Sequence, residues 1–487
     1  MNYIQDNIWW LVIGLNYLFV FITAGYEIMH NREPAKTISL LFALVVLPVI
    51  GLIIYYFFAQ EFRKDKIFNR KKVYDHEMIK KWEEKLILIE KDLEHLENFF
   101  VDDKIKLVRL LQNNQTKPFT FGNKVDILVN GRKKFETLFT DLKKAEKHIH
   151  LEYYIFRSDY IGNKLIDILC EKAEEGVEIR ISYDYVGSSL SSKALKRMNS
   201  CGIEIFPFMP VWFPNLTRKL NYRDHRKIVI IDGKIGFIGG VNISDEYVNY
   251  EGQEETKMYW RDTHLRIEGH GVKSIQAQFL LNFNFITSKE IEIKDEYFPS
   301  LEPAGKSAVQ IAASGPDTDW RNIMEAILTA INTAEKYVYI TTPYFIPNNE
   351  ILTALCTASR IGIDIKIIIP EIGDSVVARH ATNSYIEMLL ESGVRVFHYC
   401  KGMVHAKTMV VDGMVSTVGT SNLDNRSFDI NFEINAFVYD KYIAQEMLVI
   451  FNNDLLECDE LDLEDWRNRP YTERIKESLS RLWAPLL

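Results

Sequence analysis

Two short stretches of this chain hold the side chains that could do chemistry together. The first is His225-Arg226-Lys227, running through Asp232 to Gly239-Gly240 and Asn242. The second is His405-Ala406-Lys407, running through Asp412 to Gly419-Thr420-Ser421-Asn422. Every shared position is displaced by 180 residues, so the chain carries one H-x-K-x4-D pattern twice. Each copy offers an imidazole, a fixed cation and, in the glycine corner, an amide. Phosphoryl chemistry needs those three things: a nucleophile or acid, neutralised charge and oriented hydrogen bonds. With two copies, one imidazole can attack phosphorus while the other protonates the leaving oxygen. Among the eleven histidines the other nine read as surface or satisfied core residues, with His264 a weak candidate for binding substrate. No His, Cys or Asp cluster has metal-ligand spacing, so lysine is expected to supply the charge in a site with no metal and no cofactor.

The elements around each copy follow from local pattern. His and Lys at i and i+2 share one face of a strand. The runs Ile228–Ile231 and Thr408–Val411 read as short buried strands, closed by Asp-Gly turns at 232–233 and 412–413. Strands at Ile235–Ile238 and Met414–Val418 then enter the glycine corners. That turn position gives Asp232 and Asp412 an electrostatic hold on the corner, within a catalytic set of His225, Lys227, Asp232, His405, Lys407 and Asp412. Upstream of each copy, strands and helices alternate in one order. Strands 148–156, 177–183 and 203–207 match 337–342, 363–369 and 394–398, with helices at 162–174, 194–200, 320–334, 351–360 and 383–392 between them. Asn130-Gly131 reads as a turn. The prediction is an α/β sandwich made of two similar halves, 118–300 and 301–487, sharing one active site.

The first sixty residues are of another kind. Residues 8–26 and 38–59 carry no charge, and each is long enough to cross a bilayer as a helix. A basic cluster follows, with Arg63, Lys64, Lys66, Arg70, Lys71 and Lys72. It places that side, the N-terminus and the catalytic halves in the cytoplasm, as a transmembrane hairpin over 1–60. Residues 61–117 read as a basic segment and an amphipathic linker helix. A net charge of −9 gives no basic footprint, so no nucleic-acid partner is expected. The five cysteines are scattered, without C-x-x-C spacing, and read as free thiols.

The duplicated motif resembles the phospholipase D superfamily. The flanks narrow the resemblance to bacterial cardiolipin synthases. They are Trp260–Gly269, Ser314-Gly-Pro-Asp317, Thr342-Pro-Tyr-Phe345, Asn422-Leu-Asp-Asn-Arg-Ser-Phe428 and the ending Arg481–Leu487. The resemblance implies phosphatidyl transfer between two phosphatidylglycerols through a phosphohistidine, giving cardiolipin in a bacterial membrane. It implies that Lys227 and Lys407 hold the phosphoryl oxygens, with Asn242, Asn422 and Ser421 beside them. It further implies that an acidic residue downstream of each motif orients its imidazole. Glu433 is then expected on His405 and Asp262 on His225, with His225 the nucleophile and His405 the acid. The alternatives are a membrane phospholipase D, a nuclease, and a lipid-binding protein with a dead site. Asn282-Phe-Asn-Phe285 departs from the family pattern, which usually has an Asp-Trp pair there.

Overall fold

The computed structural model describes residues 104–115, 119–210, 221–250, 258–287 and 291–484, with scattered positions before residue 104. The chain divides into two compact units, Met1–Tyr74 and Asp75–Leu487. The expected spans 8–26 and 38–59, the basic segment and most of the linker lie outside the described residues, isolated positions apart. Among the described residues no helix is long and apolar enough to cross a membrane. The end of the linker is the helix Ile105–Gln115, which buries Leu107, Val108 and Leu111 in the core of the C-terminal half.

Within the second unit fifteen described strands form one continuous sheet. From its middle outwards, the first half contributes Thr120–Val129, Thr263–Glu268, Ile235–Gly239, Lys227–Ile231, His148–Tyr153, Glu178–Asp184 and Glu204–Phe208. The second half contributes, in the matching order, Ser307–Ser314, Glu433–Tyr439, Val415–Gly419, Thr408–Val411, Tyr337–Thr341, Asp364–Pro370 and Arg395–Tyr399, with Cys458–Glu460 added at the outer edge. The halves join where Thr120–Val129 runs antiparallel to Ser307–Ser314. The motif strands sit deep in each half and are buried along their whole length. That explains their unbroken apolar runs: a strand covered on both faces has no polar side to alternate with.

The aspartates of the two motifs do one job, at the far end of the motif strands from the histidines. Asp232 and Asp412 lie in left-handed backbone at φ of 52° and 53°, followed by Gly233 and Gly413 at 62° and 65°. These are hairpin turns of the kind Asp-Gly favours. The Asp232 carboxylate accepts the N–H groups of Glu146, Lys147 and His148 at 2.9, 2.7 and 3.0 Å. Asp412 accepts those of Glu335, Lys336 and Tyr337 at 2.9, 2.8 and 2.9 Å. Each aspartate thus ties its hairpin to the start of the neighbouring strand. These contacts give both aspartates the hold on the corner that their turn position implies.

Some elements escaped the sequence reading. Asn130-Gly131 is not a turn but the start of the helix Asn130–Leu142, entered through Asn130 at φ 64°. The helix Val272–Thr287 is buried nearly all round, so it has no polar stripe to betray a helical period. The helix Val376–Glu391 begins earlier than the expected 383, because Ser375 caps it by accepting from Ala378 N–H.

Candidate active site

Each motif histidine is delivered by a backbone crossing between halves. Asp224 bridges Phe432, and His225 N–H donates to the Phe432 carbonyl at 2.9 Å. In the other half Gly402–Val404 pairs in parallel with Tyr259–Arg261, and His405 N–H donates to the Arg261 carbonyl at 2.7 Å. The residue that follows each crossing partner is an acid. His225 Nδ1 therefore meets Glu433 at 2.9 Å, and His405 Nδ1 meets Asp262 at 2.8 Å. This overturns the expected pairing of acid and imidazole: Glu433 serves His225 and Asp262 serves His405. Neither half can orient its own histidine. Each carboxylate receives an Nδ1 proton and leaves Nε2 with its lone pair.

The acids are themselves held, but unequally. Glu433 also accepts from Thr420 Oγ1 at 2.6 Å and from Asn431 Nδ2 at 3.3 Å. Asp262 accepts from its neighbour's N–H, Thr263, at 2.7 Å. Gly240 lies against it with no side chain; a Cβ there would sit 2.1 Å from Asp262 Oδ1. Lys227 and Lys407 are buried, and each donates its Nζ–H to the carbonyl of its own motif histidine at 2.6 Å.

Burial governs the protonation of this cluster. It pushes the His225 imidazole well below its usual value, and the nearby Lys227, Lys407 and His405 push the same way. Burial and Lys407 bring His405 down to about 4, against the pull of Asp262. Burial lowers Lys227 to about 7 and Lys407 to about 8, opposed by the carboxylates Glu433 and Asp262. It raises Glu433 to about 7, opposed by Lys227. Both imidazoles therefore stand neutral at pH 7 before an anion enters.

His225 and His405 open into one cavity of about 590 Å³, shared by the two halves. Asn242 and Asn422 line it. Asn242 Nδ2 donates to Tyr247 Oη at 2.7 Å, and Asn422 Nδ2 donates to Asp424 at 2.9 Å. Each amide keeps one further N–H for a ligand. Ser421 does not line this cavity; its hydroxyl is spent on the Asn422 carbonyl at 3.1 Å. His264 is fully buried and does not line it either. The departure at Asn282 falls beneath the site, where Asn282 Nδ2 donates to Asp224 at 2.8 Å, beside His225.

Other lining residues carried no spacing that singled them out. Tyr154 meets the His225 ring edge-on at 4.8 Å. Tyr247 and Trp260 meet the His405 ring at 5.6 and 5.4 Å. Arg223, held by Asp184 at 3.1 Å, and Arg426 add cations. Among the described residues no group of three His, Cys, Asp or Glu side chains could hold a metal ion.

Residues 138–270 and 327–455 each match the family model described as cardiolipin synthase, PLD-like domain. A cardiolipin synthase of Geobacillus sp. (strain WCH70) is 38% identical over 479 residues, 98% of this chain and 93% of that protein. One from Listeria monocytogenes is 39% identical over 490 residues, 98% of this chain and 99% of that protein. Among solved structures, a phosphatidylserine synthase of Haemophilus influenzae has the same fold. It has a TM-score of 0.59 and 15% identity, and the match covers 78% of this chain and all of that one. The chain belongs to the cardiolipin synthase family, with the PLD-like domain present twice.

Proposed function

We propose that the protein transfers the phosphatidyl group of one phosphatidylglycerol to a glycerol hydroxyl of a second, yielding cardiolipin and glycerol. His225 Nε2 attacks phosphorus. The bond from phosphorus to the glycerol oxygen breaks as His405 gives that oxygen a proton. The second phosphatidylglycerol then returns a hydroxyl proton to His405. Its oxygen bonds to phosphorus, and the P–N bond breaks. Lys227 and Lys407 neutralise the phosphoryl oxygens, and the remaining amide N–H groups of Asn242 and Asn422 orient them. A bound phosphodiester also supplies the negative charge that lets His405 and both lysines hold their protons in a buried site.

The observation that carries this reading is the crossed pairing. One cavity holds two imidazoles, each fixed by the opposite half, so a single phosphorus can be worked from both sides. The same pairing makes Glu433 and Asp262 orienting residues.

The lipid substrate calls for a membrane site. The segments 8–26 and 38–59 act as a bacterial membrane hairpin, with the catalytic halves in the cytoplasm. A reporter in the 27–37 link should then lie outside the cytoplasm and one at residue 487 inside; the opposite result removes the orientation. The activity is tested with purified full-length protein and labelled phosphatidylglycerol in detergent. Cardiolipin and glycerol should appear in equal amounts. Phosphatidic acid as the main lipid product would make the protein a phospholipase D.

A further inference from the structure

The two halves match in fold but not in the chemistry at the two ends of the cavity. Ile149 lies opposite Ile231 and beside Ile179, as Val338 lies opposite Val411 and beside Ile365. The loops that follow the strands Glu178–Asp184 and Asp364–Pro370 differ in length, with Ser188 in the first and Asp374 in the second. Ser188 is fully used: its hydroxyl donates to the Tyr154 carbonyl and accepts from Phe156 N–H, both at 3.0 Å. Asp374 instead lines the cavity, with Tyr344 Oη donating to one of its oxygens. Its charge acts on Lys407 and Tyr247, the neighbours of His405. At the His225 end stands Arg426, whose charge acts on His225 and Tyr154.

A second observation falls in the same cavity. Asn422 Oδ1 is buried and has no hydrogen-bond partner among the described residues. A buried acceptor left unpaired is costly, so a ligand that donates there is favoured. A phosphodiester has no proton to donate. A carboxylate that lines the cavity and an unpaired amide oxygen in its wall are wrong for phosphate and right for hydroxyl groups. Tyr247 and Trp260, which line the cavity and meet the His405 ring, offer apolar surface to the carbon skeleton of a small polyol.

We propose that Asp374, positioned by Tyr344, and Asn422 Oδ1 form a subsite for the vicinal hydroxyls of a glycerol headgroup on the His405 side of the cavity. The proposal rests on the phosphatidyl transfer above and specifies its acceptor. The glycerol that leaves and the glycerol that arrives occupy the same subsite in turn, which places both beside the histidine that shuttles the proton. Asp374 is therefore a specificity residue: it favours a polyol over a simple alcohol.

The test compares acceptors. Full-length protein in detergent receives phosphatidylglycerol, with labelled glycerol or labelled 1-butanol as the competing alcohol. The quantity read is the ratio of kcat/KM for the two. In Asp374→Ser the glycerol-to-butanol ratio should fall about tenfold, the value of a lost hydrogen bond to a charged group. Tyr344→Phe should lower the ratio less, since it frees the carboxylate without removing it. An unchanged ratio, or an equal loss with both alcohols, would overturn the subsite while leaving phosphatidyl transfer standing. Wild-type protein that forms neither adduct and only hydrolyses lipid would overturn the transfer reading and the subsite together.

Discussion

The site's chemistry at the scale of single residues is set by burial of charge. Both imidazoles are driven neutral, as the proposed attack by His225 requires, and both lysines are lowered to within reach of pH 7 to 8. A lysine with a lowered value loses its charge as pH rises through that value. For the free enzyme, kcat/KM should therefore fall as pH climbs from about 7 to 9, because kcat/KM reports groups before substrate binds. A flat profile to pH 10 would mean that the lysines stay charged or do not matter. If both lysines act on one phosphoryl group, Lys227→Ala and Lys407→Ala should each cut kcat by about 10²–10³-fold. The double variant should be little worse than either single one. Half activity in each single variant, measured by turnover in detergent, would point to two independent sites.

Crossed pairing is the central feature at the scale of elements. The motif strand of each half brings its histidine to the acid-bearing segment of the other. Gly240 exists to leave room for one of those acids. In Gly240→Ala the new Cβ meets Asp262 Oδ1 and pushes the carboxylate off His405. A displacement of this size should cost about 10²-fold in kcat. The paired variant Gly240→Ala/Asp262→Asn should be no slower than Asp262→Asn alone, since both act through one contact. Additive losses would show that Gly240 serves some other purpose. The duplication, the motif strands and their turns were legible in the sequence, because unbroken apolar runs and Asp-Gly turns are local. The partner of each imidazole was not legible. Spacing along the chain says that an acid follows a motif; it does not say which strand lies beside which. The hold of Asp232 and Asp412 on their turns was legible too, because each carboxylate meets three backbone N–H groups beside its own hairpin. Asp374 and Tyr344 stand outside any repeated spacing, and only the cavity they line brings them out.

Over the whole molecule, folding buries histidines in neutral form. His148 is brought down to about 3 by burial and by His150, and burial brings His398 and His405 to about 4, from an ordinary 6.5. The unfolded chain binds these protons first. Stability is therefore complete above pH 6.5 and is lost as pH falls towards the folded values. Glu433, raised to about 7 from 4.5, works in the opposite sense, and burial raises the carboxyls of Glu152, Asp184, Asp224, Asp424 and Asp454 the same way. The histidine part is isolated by His148→Gln, whose melting temperature in detergent should fall less than the wild type's between about pH 6.5 and pH 4. An equal fall in the two proteins would contradict the neutral burial of this ring.

The central claim is that one composite site passes the phosphatidyl group through a histidine of the first half. Covalent trapping tests it most directly. The protein is mixed with phosphatidylglycerol labelled in the phosphatidyl group and quenched in denaturant without acid, and the labelled peptide is mapped. His405→Ala, given a donor with a good leaving group, should accumulate label on the peptide that contains His225. Label on the peptide containing residue 405 in the wild type, with none on His225, would reverse the roles. Cardiolipin formed at full rate with no labelled protein at any time would contradict the covalent mechanism itself.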